Sequence, residues 1–295
     1  MKLDGRRESS NVEDRRGMST GTKVGVGGIG GIIIAGLLTL LMGGNIGDVL
    51  QQAGGTILNG GGYQTETGQR EFTQEEQELA TFASQIEAST EDVWTKIFRE
   101  NNLGEYKYPT LVLYTDYVST ACGQGSAAVG PFYCSGDQKL YLDLSFFTTM
   151  QQQLGIKGND FAYAYVVAHE VGHHVETLLG IIDVAHQKMA SYGQSSARAN
   201  AVSVQLELLA DFFAGVWGHY ENQQYNSLEV GDYEAAIDCA TKIGDDYLQK
   251  RGQGYANPES FTHGTSEQRK AAFKQGFESG NINYASTYIQ KIKSL

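Results

Sequence analysis

Nineteen consecutive residues, Val24 to Met42 (VGVGGIGGIIIAGLLTLLM), carry no charge. A chain with such a run must bury it in a core or place it in lipid. As a helix rising about 1.5 Å per residue it would reach roughly 28 Å, close to the hydrocarbon core of a bilayer. Arg6, Arg7, Arg15, Arg16 and Lys23 precede the run, whereas glycines, Asn45 and Asp48 follow it. By the positive-inside rule, this predicts a single-pass cell-membrane anchor with the N-terminus cytoplasmic and the remainder periplasmic or extracellular. A cleaved signal peptide is the main rival, but the run exceeds the usual apolar region of one and no A-x-A-like site follows. Gly25-Val26-Gly27-Gly28-Ile29-Gly30 spells G-x-G-x-x-G, yet no strand precedes it, so it is no dinucleotide fingerprint. Gly27, Gly31 and Ala35 instead form a small-residue face suited to helix packing and to a homodimer.

The anchor divides the rest. Residues 1–23 are polar and basic and read as a disordered cytoplasmic tail; residues 43–70 are glycine-rich and read as a flexible linker. From Glu71 to Leu295 the pattern is that of a folded domain. Thr73 and Glu76 form a capping box ahead of Leu79, Phe82, Ile86, Val93, Ile97 and Phe98 at helical spacing. Short strands are expected at 109–116, 126–134 and 138–145. Helices are expected at 146–154, 159–179, 194–221, 232–250, 265–278 and 283–293. One helix, a small sheet and then several helices predict an α+β domain, mainly helical.

The formal net charge is −12, and residues 43–295 alone, with sixteen basic and thirty acidic side chains, carry −14. Such a surface repels phosphate backbones, so nucleic acid is not an expected partner. Cys122 and Cys134 bracket a glycine-rich stretch and, outside the cytoplasm, can persist as a disulfide; Cys239 falls in a helical pattern and reads as a buried free thiol.

The chemistry-bearing segment is VVAHEVGHHVE, residues 166–176. On a helix, His169 and His173 share one face and can aim two imidazoles at one ion, while Glu170 at its edge can accept a proton from a metal-bound water. Gly172 permits close approach of a neighbouring element. Two core histidines held by hydrogen bonds are the plain alternative. Glu176 and Leu179 stand where a metzincin would have glycine and histidine. The third ligand must then come from elsewhere, and SVQLELLADFFAGVW (203–217) supplies Glu207 and Asp211 on an otherwise apolar helix. Carboxylates rarely enter such a face unless paired or metal-bound. Glu207 can complete a His2Glu zinc site, and Asp211 can take the second N–H of a zinc-binding histidine.

SSNVEDRRG, the apolar run, ACGQGSAAVGPFYCSGDQKLYLDLSFF, VVAHEVGHHVE, LELLADFFAGVW and SFTHGTSEQR together resemble, in order and over nearly the whole chain, the bacterial neutral zinc metallopeptidases. The E-x-x-x-D pattern is similar to that of gluzincins. The resemblance implies a membrane-anchored, zincin-like domain that hydrolyses peptides or proteins. Zn2+ would be held by His169, His173 and Glu207, with Glu170 as general base. It also suggests His263, in the polar loop NPESFTHGTSEQR, as a catalytic donor to the developing oxyanion; a helix-capping loop histidine or a fourth ligand are the alternatives. Two other functions stay open: a non-catalytic, membrane-anchored zinc-containing binding module, and a different hydrolase. No serine, however, stands in a G-x-S-x-G elbow.

Overall fold

In the computed structural model, which describes residues 1–17, 71–156, 159–193 and 195–295, the elements follow one another as β1 (Val12–Asp14), α1 (Gln74–Glu100), β2 (Thr110–Tyr114), β3 (Tyr117–Thr120), β4 (Gly123–Ser126), β5 (Phe132–Cys134), β6 (Lys139–Asp143), α2 (Ser145–Leu154), α3 (Asp160–Leu178), α4 (Ile181–Tyr192), α5 (Ala197–Tyr225), α6 (Asp232–Lys242), α7 (Asp245–Gln253), α8 (Ser266–Ser279) and α9 (Ala285–Ser294). The expected anchor at 24–42, its small-residue face and the linker at 43–70 lie outside the described residues. The arrangement is α+β and mostly helical. Strands β1, β2 and β6 run parallel, β5 pairs antiparallel with β6, and β3 and β4 form a separate hairpin.

Every residue of α3 from Phe161 to Glu176 is buried, as expected of a helix apolar on most of its faces. Asn159 starts it by accepting the N–H groups of Phe161 and Ala162. Helix α5 crosses α3 where Gly172 meets Ala210: a Cβ at 172 would lie 2.9 Å from the Ala210 backbone, so only glycine lets the two helices approach this closely. Among the described residues α5 is the one helix long and apolar enough to cross a membrane, but most of it is buried as the second core helix. Helix α8 packs on its other side through Gly215 and Gly276. Trp94 of α1 meets Phe213 of α5 edge to face at 5.4 Å, and Phe161 stacks on Trp217 at 5.8 Å.

Several expectations need correction. Residues 1–17 are no disordered tail. Val12, Glu13 and Asp14 pair in register with Leu111, Val112 and Leu113 of β2. The charges that suggested a solvated tail have partners in the core: Arg6 pairs with Glu221 at 2.7 Å and Arg7 with Glu91 at 2.8 Å. The expected strand 126–134 is divided: Ser126 ends β4, a 3-10 turn at Ala127–Val129 and Gly130 at φ 82° interrupt it, and Phe132–Cys134 pair separately as β5. Helix 232–250 is broken near Gly244, and α4 falls where no helix was expected; only Ile181, Ile182 and Ala185 of α4 are buried, too weak a stripe to read. Cys122 and Cys134 form a disulfide with their Cα atoms 5.8 Å apart, and Cys239 is free and buried.

Candidate metal centre and active site

The crossing of α3 and α5 brings two pairs of residues, each four apart, against one another. Nε2 of His169 lies 3.1 Å from one Glu207 oxygen, and Nε2 of His173 lies 3.6 Å from the other. The ligand atoms of His169, His173 and Glu207 all fall within 4.8 Å of one another, and each of the three residues is buried. His173 Nε2 and Glu207 Oε1 have no hydrogen-bond partner despite being buried, as does Glu170 Oε2. Buried polar atoms are nearly always satisfied, so orphaned donors converging on one point fit a cation between them.

The outer nitrogens are held. His169 Nδ1 lies 2.8 Å from Asp211 Oδ1, and His173 Nδ1 lies 2.8 Å from Glu176 Oε2. A carboxylate only accepts, so each Nδ1 carries a proton and each Nε2 is turned toward Glu207. Asp211 also accepts from Tyr165 Oη at 2.5 Å and from Arg269 Nε and Nη2 at 2.8 and 3.0 Å. Burial pushes the Asp211 carboxyl up, but the Arg269 and His169 charges outweigh it and hold it down at about 2. Burial lowers the proton affinity of His169, yet the Asp211 carboxylate and the bond to Glu207 lift it to about 9. Glu207 stays well below the usual carboxylate range: burial opposes ionisation, but His263, His173 and His169 prevail. The net character is a buried site that attracts positive charge.

Glu170 does not join the three ligand atoms. It lines a cavity with His169 and His263, walled by Pro131, Phe146, Val166 and Ile243. Burial raises its pKa, partly offset by His169 and His173. His263 is 3% exposed, so the surface-loop alternative fails. Its Nδ1 lies 3.2 Å from Asp245 Oδ1, and Asp245 Oδ2 accepts the backbone N–H groups of Thr262, His263 and Gly264 at 2.8, 2.7 and 3.0 Å. One carboxylate thus fixes both the loop and its imidazole. A wider surface depression between α5, α8 and α9, floored by Leu208, Ala272 and Tyr288, contains no histidine or cysteine and lies apart from this chemistry.

Sequence reasoning missed Glu176, Tyr165, Arg269 and Asp245. Glu176 was legible by the same rule that found Glu207, since it is a carboxylate on an apolar helix three residues from His173. Arg269 and Asp245 carried no such signal, because each lies in a polar stretch where a charged residue is expected to be solvated.

A family model described as "Putative neutral zinc metallopeptidase" matches residues 1–288. The chain is 44% identical over 299 residues to the uncharacterized protein YpfJ of Escherichia coli, covering 99% of this chain and 100% of that protein. It is 36% identical over 209 residues to the uncharacterized proteins Rv2575 of Mycobacterium tuberculosis and Mb2605 of Mycobacterium bovis, covering 68% of this chain and 67% of each relative. No solved structure matches the chain.

Proposed function

Because the chain belongs to the neutral zinc metallopeptidase family, we propose that it hydrolyses peptide bonds in a zincin-like site at the α3–α5 crossing. The convergence of His169, His173 and Glu207 within 4.8 Å, with Glu170 beside them, carries this reading. His169 Nε2, His173 Nε2 and the Glu207 carboxylate would hold Zn2+. When bound, zinc supplies Lewis acidity, making the attacking water more acidic and polarising the scissile carbonyl.

The remaining steps belong to the chain's own side chains. Glu170 takes the proton from the attacking water and passes it to the leaving amide nitrogen; a raised pKa suits a group that both accepts and returns a proton. His263, with Nδ1 held by Asp245, presents Nε2–H to the carbonyl oxygen as it gains charge. Burial lowers its proton affinity, but Glu207 and Asp245 raise it further, keeping the donor proton in place. Strand β5 pairs on one side only among the described residues, and the residues just before it wall the cavity, so an extended peptide suits this edge. Attachment to a membrane through residues 24–42 is part of the proposal, and the uncharged length of that run supports it.

Full-length protein purified in detergent should cleave an unfolded protein such as casein, lose activity to a chelator and regain it with zinc. Zinc retained without any hydrolysis would favour the non-catalytic binding module instead.

A further inference from the structure

The first seventeen residues are tied into the domain through the side chains of Arg6, Arg7 and Arg16, three of the basic residues that suggested the anchor's orientation. Arg6 reaches Glu221 of α5, which is 0% exposed, and Arg7 reaches Glu91 of α1, which is 1% exposed. Arg16 pairs with Asp14 at 2.6 Å and donates to the Glu76 carbonyl at 2.8 Å, while Arg15 pairs with Glu13. Ser9 Oγ and Asn11 Nδ2 both donate to Glu91 Oε1, at 2.6 and 2.7 Å. Backbone bonds close the register: Ser9 N–H to the Ser84 carbonyl at 3.0 Å, Leu111 N–H to that of Asn11 at 2.9 Å, and Arg15 N–H to that of Leu113 at 2.8 Å. Withdrawing this arm would leave Glu91 without Arg7, Ser9 and Asn11, and Glu221 without Arg6. An unpaired buried carboxylate is strongly unfavourable. In the largely buried α1 stretch ASTED (88–92), the Ala88 carbonyl, Glu91 and Asp92 all take partners from the arm. The family match also begins at residue 1, so it includes the arm.

These contacts are incompatible with a single crossing. A helical span at 24–42 would put about 30 Å of hydrocarbon between the segments before and after it. Hydrogen bonds below 3 Å cannot form across that distance. We infer that residues 1–17 and 71–295 lie on the same side of any membrane that holds this protein. On this inference Arg6 and Arg7, which read as part of a positive-inside signal, act as ion-pair partners of the domain's Glu221 and Glu91, and the N-terminus and the domain are not separated by the membrane. The inference rests on the arm's contacts and is independent of zinc or catalysis.

Cysteine labelling in the membrane-bound full-length protein tests it. The chain's cysteines are the bonded Cys122–Cys134 pair and the buried Cys239, so wild type gives a low background. Glu8→Cys on the arm and Glu105→Cys on the domain, both at exposed positions, are each treated in intact spheroplasts with a membrane-impermeant maleimide. Lysed spheroplasts give the full signal. Both positions reacting before lysis, or both only after it, is the expected result. One position reacting several-fold more than the other before lysis would place the segments on opposite sides and overturn the inference.

Discussion

Glu176 Oε2 sits 2.8 Å from Nδ1 of His173, three residues back on the same helix, and does for that ring what Asp211 does for His169 from a different helix. Both imidazoles are therefore aimed at one point before any ion arrives. Partners of this kind typically change metal affinity by about 10–100-fold. Glu176→Ala should weaken zinc binding by that order, read by competition with a chelating dye at fixed pH. Unchanged affinity would remove Glu176 from the ligand-positioning set.

Glu170 and Glu207 should separate cleanly. Glu170 lines the cavity outside the cluster of ligand atoms, whereas Glu207 lies within it. Glu170→Gln keeps the side chain's size and should retain about one zinc per chain by elemental analysis while abolishing hydrolysis. Glu207→Ala should lose the metal and the activity together. A Glu207→Ala protein with its full zinc content would sink the ligand assignment.

His263 is pinned by Asp245 through both its ring and its backbone N–H. As an oxyanion donor, its loss should lower kcat by roughly 10²–10³ with zinc retained. His263→Ala measured for kcat, KM and zinc content distinguishes the roles. Lost zinc would mark a ligand, and an unchanged kcat with a lower Tm would mark a structural residue.

The Cys122–Cys134 bond, with a sequence separation of 12, ties the turn between β3 and β4 to the end of β5. Cross-links of this kind stabilise by roughly 2–4 kcal/mol, mainly by restricting the unfolded chain. Cys122→Ser should therefore lower the free energy of unfolding by about that amount in denaturant titrations. No change would mean that the sheet alone sets the hairpin's position.

Much of the site was legible because its residues contradict their surroundings. His169, His173, Glu207 and Asp211 are polar groups on helices otherwise apolar, and such groups need a partner or an ion. Gly172 announced a close crossing, and Ala210 of α5 fills it. The arm at 1–17 was not legible for the opposite reason. Its arginines look solvated until Glu91 and Glu221, far along the sequence, are seen to face Arg7 and Arg6. Sheet order was hidden as well, since β1 pairs with a strand far along the chain and β5 joins as an antiparallel edge. Periodicity reports which face of an element is buried, and says nothing of which distant charge will cover it.

The loop carrying His263 should also respond to acid through Asp246, next to the Asp245 that anchors it. Asp246 Oδ1 accepts the Ser266 N–H at 2.7 Å and the Ser266 hydroxyl at 2.9 Å, tying the start of α7 to the start of α8. Burial favours the neutral acid, but the two Ser266 bonds and the nearby Lys250 prevail and hold the pKa below the ordinary value. A depressed folded-state pKa contributes stability above the unfolded value of about 3.9 and loses it as pH falls through the folded value. Asp246→Asn should therefore melt below wild type near neutral pH, and the gap should close as the pH drops below about 4. Comparing the two proteins at each pH cancels the acid release of zinc common to both. A Tm gap that stays constant from pH 7 down to about pH 3 would show that the Asp246 charge contributes nothing to holding the two helices together.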